Sequence, residues 1–526
     1  MTTTIRINCD IRNLATSMAS AALLGLVTSQ AMAQPFSRAS EASINYTLAA
    51  FTPKRNCESL ASLQLQEVIA ISATSIAAEG DVPAHCRVQG TIAPEITFQV
   101  NLPVSWNGRY YMVGNGGPAG QHPDTQAGAR SDALRNGFAM GATDTGHDGT
   151  SEPGYTFAMS NLQKRVDYAY RAVHMTAVTA KAVANAWYGR PVDYAYWNSC
   201  SNGGRQGLLE AQRYPDDFDG VIANAPWVDQ TGFAMGAIWN QQQLDDVGLT
   251  QGKVNLLAER VMQKCDAIDG LVDGLIDDPR ACNINVIEDV PQCTVGNSTD
   301  ACLATEQSQA LQAVYDGPRN SAAEQIHPGF MPGGERSWFG TIVPNAQGNA
   351  SVFGLGNGIM QYMVPLQPDP QWDYRTFSFD TDTEMPDRWS RLADASDINL
   401  RPFRENGGKL LITYGWADQI LQPLMGVEYY EQVVTANGAN GEDFMRLFMI
   451  PGMTHCAGGY GPDSHDPVTT IIDWVEAGIP PDMMLGSRIE QGEVVRTRPL
   501  CPYPQVARYD GSGSIDEAEN FSCAVP

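Results

Sequence analysis

Two dipeptides 255 positions apart constrain this 526-residue chain more than anything else in it: Cys200-Ser201 and His455-Cys456. The first lies in Trp197-Asn198-Ser199-Cys200-Ser201-Asn202-Gly203-Gly204-Arg205-Gln206, the second in Ile450-Pro451-Gly452-Met453-Thr454-His455-Cys456. A serine and a histidine are the pair that nucleophilic catalysis most often joins, and here each has a cysteine beside it. If those cysteines bond, the chain must return after residue 450 to the point it left at residue 200.

The surroundings predict a mostly parallel sheet covered by helices. Short apolar strands are expected at Arg109–Val113, Asp193–Trp197, Gly220–Ala223, Gly408–Gly415 and Met445–Ile450. Between the first two, Lys164 to Tyr188 carries apolar residues at helical spacing (Val166, Tyr170, Val173, Ala177, Val178) and stops at Gly189. Strands alternating with helices point to βαβ units and an α/β fold. From about Trp227 to about Ala395 the chain turns rich in Gln, Asp, Gly and Pro, with two close cysteine pairs and few clean strands. That stretch reads as an inserted lid, residues 228–395. The catalytic domain is then 34–227 together with 396–526.

A serine at the tip of a strand–turn–helix is a nucleophile elbow, usually spelled G-x-S-x-G. Here it reads Ser199-Cys200-Ser201-Asn202-Gly203, with a small serine in place of the first glycine. In α/β-hydrolases the triad follows in the order Ser, acid, His. Asp418 ends the Gly408–Gly415 run at the correct edge for the acid, whereas Glu442 and Asp443 precede a strand. Of the histidines after Asp418, His455 follows a strand directly, and His465 is expected in a surface loop. Ser201, Asp418 and His455 are thus the candidate triad. The backbone N–H of Asn202 and that of Gly116 or Gly117 are candidates for the oxyanion hole; a plain turn is the alternative for those glycines.

A second constellation is Cys265-Asp266-Ala267-Ile268-Asp269-Gly270-Leu271-Val272-Asp273-Gly274-Leu275-Ile276-Asp277-Asp278. Closely spaced carboxylates with turn glycines suit Ca²⁺, a hard cation that takes oxygen ligands. Asp266, Asp269 and Asp273 are expected to bind through side chains, Leu271 and Leu275 through carbonyls. The spacing is not that of an EF-hand, and an Asp-rich surface loop is the alternative.

Residues 1–33 read as a cleaved signal peptide: Arg6 and Arg12, an apolar stretch from Leu14 to Val27, then Ala31-Met32-Ala33. Export to the periplasm or the exterior fits the cysteines, because removing Cys9 from the eleven leaves an even ten. Their order suggests Cys57 with Cys86, Cys265 with Cys282, Cys293 with Cys302 and Cys501 with Cys523, leaving Cys200 and Cys456 as a pair or as buried thiols. Removing a segment of net charge +1 from a chain of −26 leaves about −27. So acidic a protein is a poor partner for nucleic acid or an anionic membrane.

These features together resemble the tannase and feruloyl esterase family of α/β-hydrolases. The resemblance rests on the two dipeptides, the Gly-Gly-Arg-Gln after the serine, Gln212-Arg213-Tyr214-Pro215-Asp216-Asp217-Phe218-Asp219-Gly220, and the Asp266–Leu275 loop. It implies a lid with a structural Ca²⁺, a disulfide joining the cysteines beside Ser and His, and the triad Ser201, Asp418, His455. The implied substrates are small esters of aromatic acids, feruloyl or galloyl, some of them carbohydrate-linked, or a terephthalate monoester. Phe330, Trp338 and Phe339 in the lid are candidate contacts for the acyl ring, with ordinary lid core as the alternative. A serine peptidase of the same fold and a calcium-stabilised binding protein are the competing expectations.

Overall fold

A nine-stranded sheet runs through the molecule in the order β1-β2-β3-β5-β4-β6-β7-β8-β9. The computed structural model describes residues 34–526 except 160, 295, 297 and 298; the expected signal peptide lies outside the described residues. The strands are β1 (Val68–Ile76), β2 (His85–Ile92), β3 (Ile96–Pro103), β4 (Arg109–Met112), β5 (Ala139–Thr143), β6 (Tyr194–Cys200), β7 (Gly220–Asn224), β8 (Lys409–Gly415) and β9 (Met445–Ile450). β1 to β3 and the β3–β5 pair are antiparallel. From β5 through β9 every pair is parallel. The fold is that of an α/β-hydrolase.

Parallel strands with helices on both faces are buried on both sides and read as continuous apolar runs. β5, β7 and the last six residues of β6 and β8 are buried throughout, which is why the central strands were visible in the sequence. The expected helix from Lys164 is interrupted. Leu162–Val166 is α-helical, Asp167–Arg171 is a π turn, and Ala172–Tyr188 resumes the α-helix to a left-handed cap at Gly189. Within the π turn, buried Asp167 accepts from Arg171 Nη1 at 2.7 Å.

Between β7 and β8 the chain leaves the sheet and forms helices, among them Gln230–Leu244, Gln251–Cys265, Thr305–Asp316 and Ser351–Gly358. Its two ends meet where the Ala395 N–H donates to the Val228 carbonyl at 2.8 Å. The insertion shares one hydrophobic core with the sheet: Trp227, Phe233, Val254 and Trp338 belong to the same cluster as Trp197, Leu410 and Tyr414. After β9 the helix Pro467–Ala477 packs on β7 and β8. A β10–β11 hairpin (Met484–Glu490, Glu493–Leu500) and a β12–β13 pair (Val506–Tyr509, Phe521–Ala524) follow.

All five expected disulfides form: Cys57–Cys86, Cys200–Cys456, Cys265–Cys282, Cys293–Cys302 and Cys501–Cys523. His465 departs from expectation. It is 4% exposed rather than a surface loop residue, because Asp466 beside it caps the following helix and ties down the start of the described chain through Phe36 and Arg38. No helix among the described residues is long and apolar enough to cross a membrane.

Candidate active site

β6 ends at the centre of the sheet and turns directly into the helix Asn202–Arg213. Ser201, at the tip, has φ 64° and ψ −124°. A non-glycine residue in that region is strained and persists only where its surroundings hold it. Its N–H donates to Asn224 O at 2.9 Å, and its carbonyl accepts from Arg205 N at 3.0 Å and Trp227 N at 3.1 Å. Beneath the turn, Asn224 Nδ2 donates to Asn198 Oδ1 (2.8 Å), Asn198 Nδ2 to the Tyr111 hydroxyl (2.9 Å), and Thr413 Oγ1 to Asn224 Oδ1 (2.7 Å). The Ser199 departure from the usual elbow has a local consequence. Its hydroxyl fills the space a Cβ at position 203 would need, so Gly203 cannot be larger.

Asp418 follows β8 with its side chain fully buried, and His455 follows β9 with a side chain 15% exposed. Asp418 Oδ2 is 2.8 Å from His455 Nδ1. A carboxylate only accepts, so Nδ1 carries the proton and Nε2 presents a lone pair. Asp418 Oδ1 accepts from the N–H groups of Ile420 (2.8 Å) and Leu421 (2.9 Å), which fixes the carboxylate. Gln419 Oε1 accepts the His455 backbone N–H at 3.1 Å. A ring nitrogen of His455 and the sulfurs of the Cys200–Cys456 bridge lie within 4.8 Å of one another. The bridge therefore holds the histidine loop against the elbow; its bonded sulfurs are no metal ligands.

The glycine run after β4 lies at the same sheet edge, since β4 pairs with β6. The space around a Cβ at Gly116 or Gly117 is open to at least 4 Å. The Gly116 carbonyl accepts from Ala119 N at 3.0 Å; the Gly117 N–H, on the same trans peptide, points the opposite way. Asn202 is the first residue of its helix, where N–H groups lack helical acceptors.

Several residues that matter here were quoted in the sequence motifs without a role. Arg205 is fully buried. Its guanidinium donates to Asn202 Oδ1 (2.7 Å), Tyr168 O (3.1 Å), Ala169 O (3.0 Å) and Ala393 O (2.7 Å), joining elbow, π turn and insertion. Gln206 Oε1 accepts the Asn115 N–H at 3.1 Å and so shapes the glycine run. The Gln212–Gly220 motif serves the other end of the sheet. Asp217 Oδ2 is 2.6 Å from His174 Nδ1, and Asp219 Oδ2 accepts the Ala195 N–H at 2.7 Å.

Two of the three expected acyl-ring contacts are enclosed within the insertion. Trp338 is fully buried and Phe330 2% exposed, packed on each other with centroids 6.2 Å apart and on Tyr315. Phe339 is partly buried against the same core.

In the acidic loop, Asp266 Oδ1 accepts from Asp273 N (3.1 Å) and Gly274 N (2.9 Å). Asp269 Oδ1 accepts from Leu271 N, and Asp273 Oδ1 from Leu275 N. Asp273 Oδ2 also takes Arg498 Nη2 at 2.6 Å. Burial, with Asp269 and Asp273 alongside, pushes the Asp277 carboxyl up to about 7. Burial first, then Asp273 and Asp266, raise Asp269. Crowded hard-oxygen donors of this kind suit a divalent cation, and Arg498 supplies part of the positive charge they face.

A strand–turn–helix serine, a buried Asp–His pair and an open glycine run at one edge of a parallel sheet define a hydrolase of the α/β class. The chain belongs to the family described as tannase and feruloyl esterase, whose model matches residues 80–524. It is 33% identical to mono(2-hydroxyethyl) terephthalate hydrolase of Piscinibacter sakaiensis over 86% of this chain and 87% of that protein. It is 30% identical to a probable feruloyl esterase of Arthroderma benhamiae over 82% of each. Among solved structures, feruloyl esterase B from Aspergillus oryzae superposes with a TM-score of 0.79 at 24% identity, covering 89% of this chain and all of that one. These relatives, like the family, are carboxylic ester hydrolases.

Proposed function

We propose that this protein is an exported serine esterase acting on small esters of aromatic carboxylic acids. The observation that carries it is the Asp418–His455 hydrogen bond clamped beside the strained Ser201 by the Cys200–Cys456 bridge. Neutral His455 accepts the Ser201 proton at Nε2 as Oγ bonds to the acyl carbon. Asp418 keeps the ring in that tautomer and stabilises the imidazolium. The Asn202 N–H and the Gly117 or Gly116 N–H receive the oxyanion, a contribution of about 3–4 kcal/mol for one donor. His455 returns the proton to the leaving alcohol, and the acyl group stays on Ser201. Water, deprotonated by His455, then attacks the acyl carbon; Ser201 leaves with its proton restored and the aromatic acid is released.

The names of the relatives support the acyl class. Feruloyl or galloyl esters come first; the terephthalate monoester is the second reading, favoured by the 33% identity to a hydrolase of that ester. Asp266, Asp269, Asp273 and the carbonyls of Leu271 and Leu275 would hold a structural Ca²⁺, which stiffens the insertion and takes no part in the reaction. Export is supported by the disulfides and by the leader-like first residues.

A fluorophosphonate probe tests the serine mechanism. The mature protein should gain one adduct on the peptide containing Ser201, and Ser201→Ala should gain none. An adduct elsewhere, or none, would contradict the assignment.

A further inference from the structure

The mechanism leaves unexplained a line of buried polar groups running from the insertion to the glycine run. Trp389 Nε1 donates to Gln230 Oε1 at 2.9 Å, Gln230 Nε2 donates to the Tyr168 hydroxyl at 2.8 Å, and that hydroxyl donates to the Gly117 carbonyl at 3.3 Å. Trp389 and Tyr168 are 1% exposed and Gln230 is fully buried. Polar groups placed so deep are costly unless each is satisfied.

The direction of this chain is forced. An indole N–H can only donate. It therefore claims the oxygen end of the Gln230 amide and the amide nitrogen faces the tyrosine; the Tyr155 hydroxyl also touches the Tyr168 hydroxyl, whose own proton faces the Gly117 carbonyl. Gly117 precedes Pro118, and its φ of 53° is one that few other residues adopt easily. With the Gly116 carbonyl held by Ala119 N and the Gly117 carbonyl held by Tyr168, the peptide N–H between them has a fixed heading. Tyr168 reaches this position from the π turn, the one irregular turn between two regular helices; such bulges recur at functional sites. Arg205 clamps the turn through the Tyr168 carbonyl and lies 5.0 Å over its ring.

We infer that Tyr168 is a positioning residue that sets the oxyanion loop, and that Gln230 and Trp389 transmit the seating of the insertion to it. This rests on the serine esterase reading above. Hydrogen bonds in series polarise one another, so the three residues act as a unit rather than as separate contacts.

The experiment is a double-mutant cycle on the mature protein with p-nitrophenyl acetate and methyl ferulate, alongside fluorophosphonate labelling and melting curves. Tyr168→Phe should lower kcat about tenfold, the worth of one hydrogen bond at the upper end of its range, with KM within about twofold. Gln230→Met should lower kcat by a smaller factor, and the double variant should be no slower than Tyr168→Phe alone. Trp389→Phe keeps the ring and frees the amide to flip, so it should lower kcat about threefold; it also tests the chain should Tyr168→Phe fail to fold. Wild-type kcat in Tyr168→Phe or in Trp389→Phe, additive losses in the double variant, or a loss carried by KM would each overturn the inference. Failure of the underlying reading looks different: wild-type protein would then take no label at Ser201.

Discussion

Ser201 is held in its strained conformation by crowding as much as by hydrogen bonds. The Ser199 hydroxyl occupies the volume that a side chain at Gly203 would need, and Gly204 backs onto Asn224 O and Pro226. Gly203→Ala should therefore cost about 1–3 kcal/mol of stability as an overpacking change. Adding Ser199→Gly should restore most of it, which urea unfolding of the single and double variants would check. An uncrowded Gly203→Ala, as stable as wild type, would mean the elbow is packed differently. His465 illustrates the opposite lesson, that sequence position says little about burial. Its ring is enclosed, and desolvation lowers it to about 4. The unfolded chain takes up that proton near pH 6.5 and the folded one only near 4, so stability is intact above about 6.5 and is lost as pH falls toward 4. His465→Leu should escape this loss. Its stability relative to wild type should rise by about 3 kcal/mol between pH 7 and pH 4, and a constant difference would contradict the burial argument.

The elements that carry the site were the ones the sequence exposed. β4, β6, β7 and β8 are interior parallel strands, which must be apolar on both faces, and β9, at the edge of the sheet, is still mostly buried, so their runs stood out. β5 carries a weaker signal because it is Ala139-Met140-Gly141-Ala142-Thr143, with Ala and Gly at three of five positions. Gly141 is needed because the Tyr110 hydroxyl lies against it. β1 is at the sheet edge with no fully buried residue, and its pairing with β2 defines it. The π turn has no periodic signature; it holds the Asp167–Arg171 pair and a tyrosine whose hydroxyl reaches a loop some fifty residues away. The placement of Ser201, Asp418 and His455 was legible because α/β-hydrolase topology puts the ends of β6, β8 and β9 at one edge in a fixed order. The acyl pocket was not: large aromatics in an insertion mark its core as readily as its binding wall, and Trp338 and Phe330 are buried inside it. The Cys200–Cys456 bridge closes a span of 256 residues. By chain entropy such a span is worth roughly 5 kcal/mol, and it fixes elbow and histidine loop in one step.

At the scale of the whole molecule, one hydrophobic core runs from the sheet into the insertion, so the state of the acidic loop is expected to register in global stability. Ca²⁺ at about a hundred times its dissociation constant should add about 2.7 kcal/mol. That should appear as a melting temperature a few degrees higher, reversed by a chelator and absent in Asp269→Ala. A melting curve indifferent to Ca²⁺ would leave Arg498 as the loop's charge partner and remove the metal. The core also carries the hydrogen-bond line from Trp389 to Gly117, so the insertion and the chemistry are one mechanical unit.

The central claim is that Ser201, His455 and Asp418 hydrolyse aromatic acyl esters. It is tested most directly by measuring turnover of methyl ferulate, methyl gallate, mono(2-hydroxyethyl) terephthalate and a short aliphatic ester, with Ser201→Ala as control. Turnover of at least one aromatic ester should lie well above that of the aliphatic one and fall by about 10⁶ in the variant. Aromatic ester turnover that survives Ser201→Ala, or turnover of the aliphatic ester alone, would contradict it.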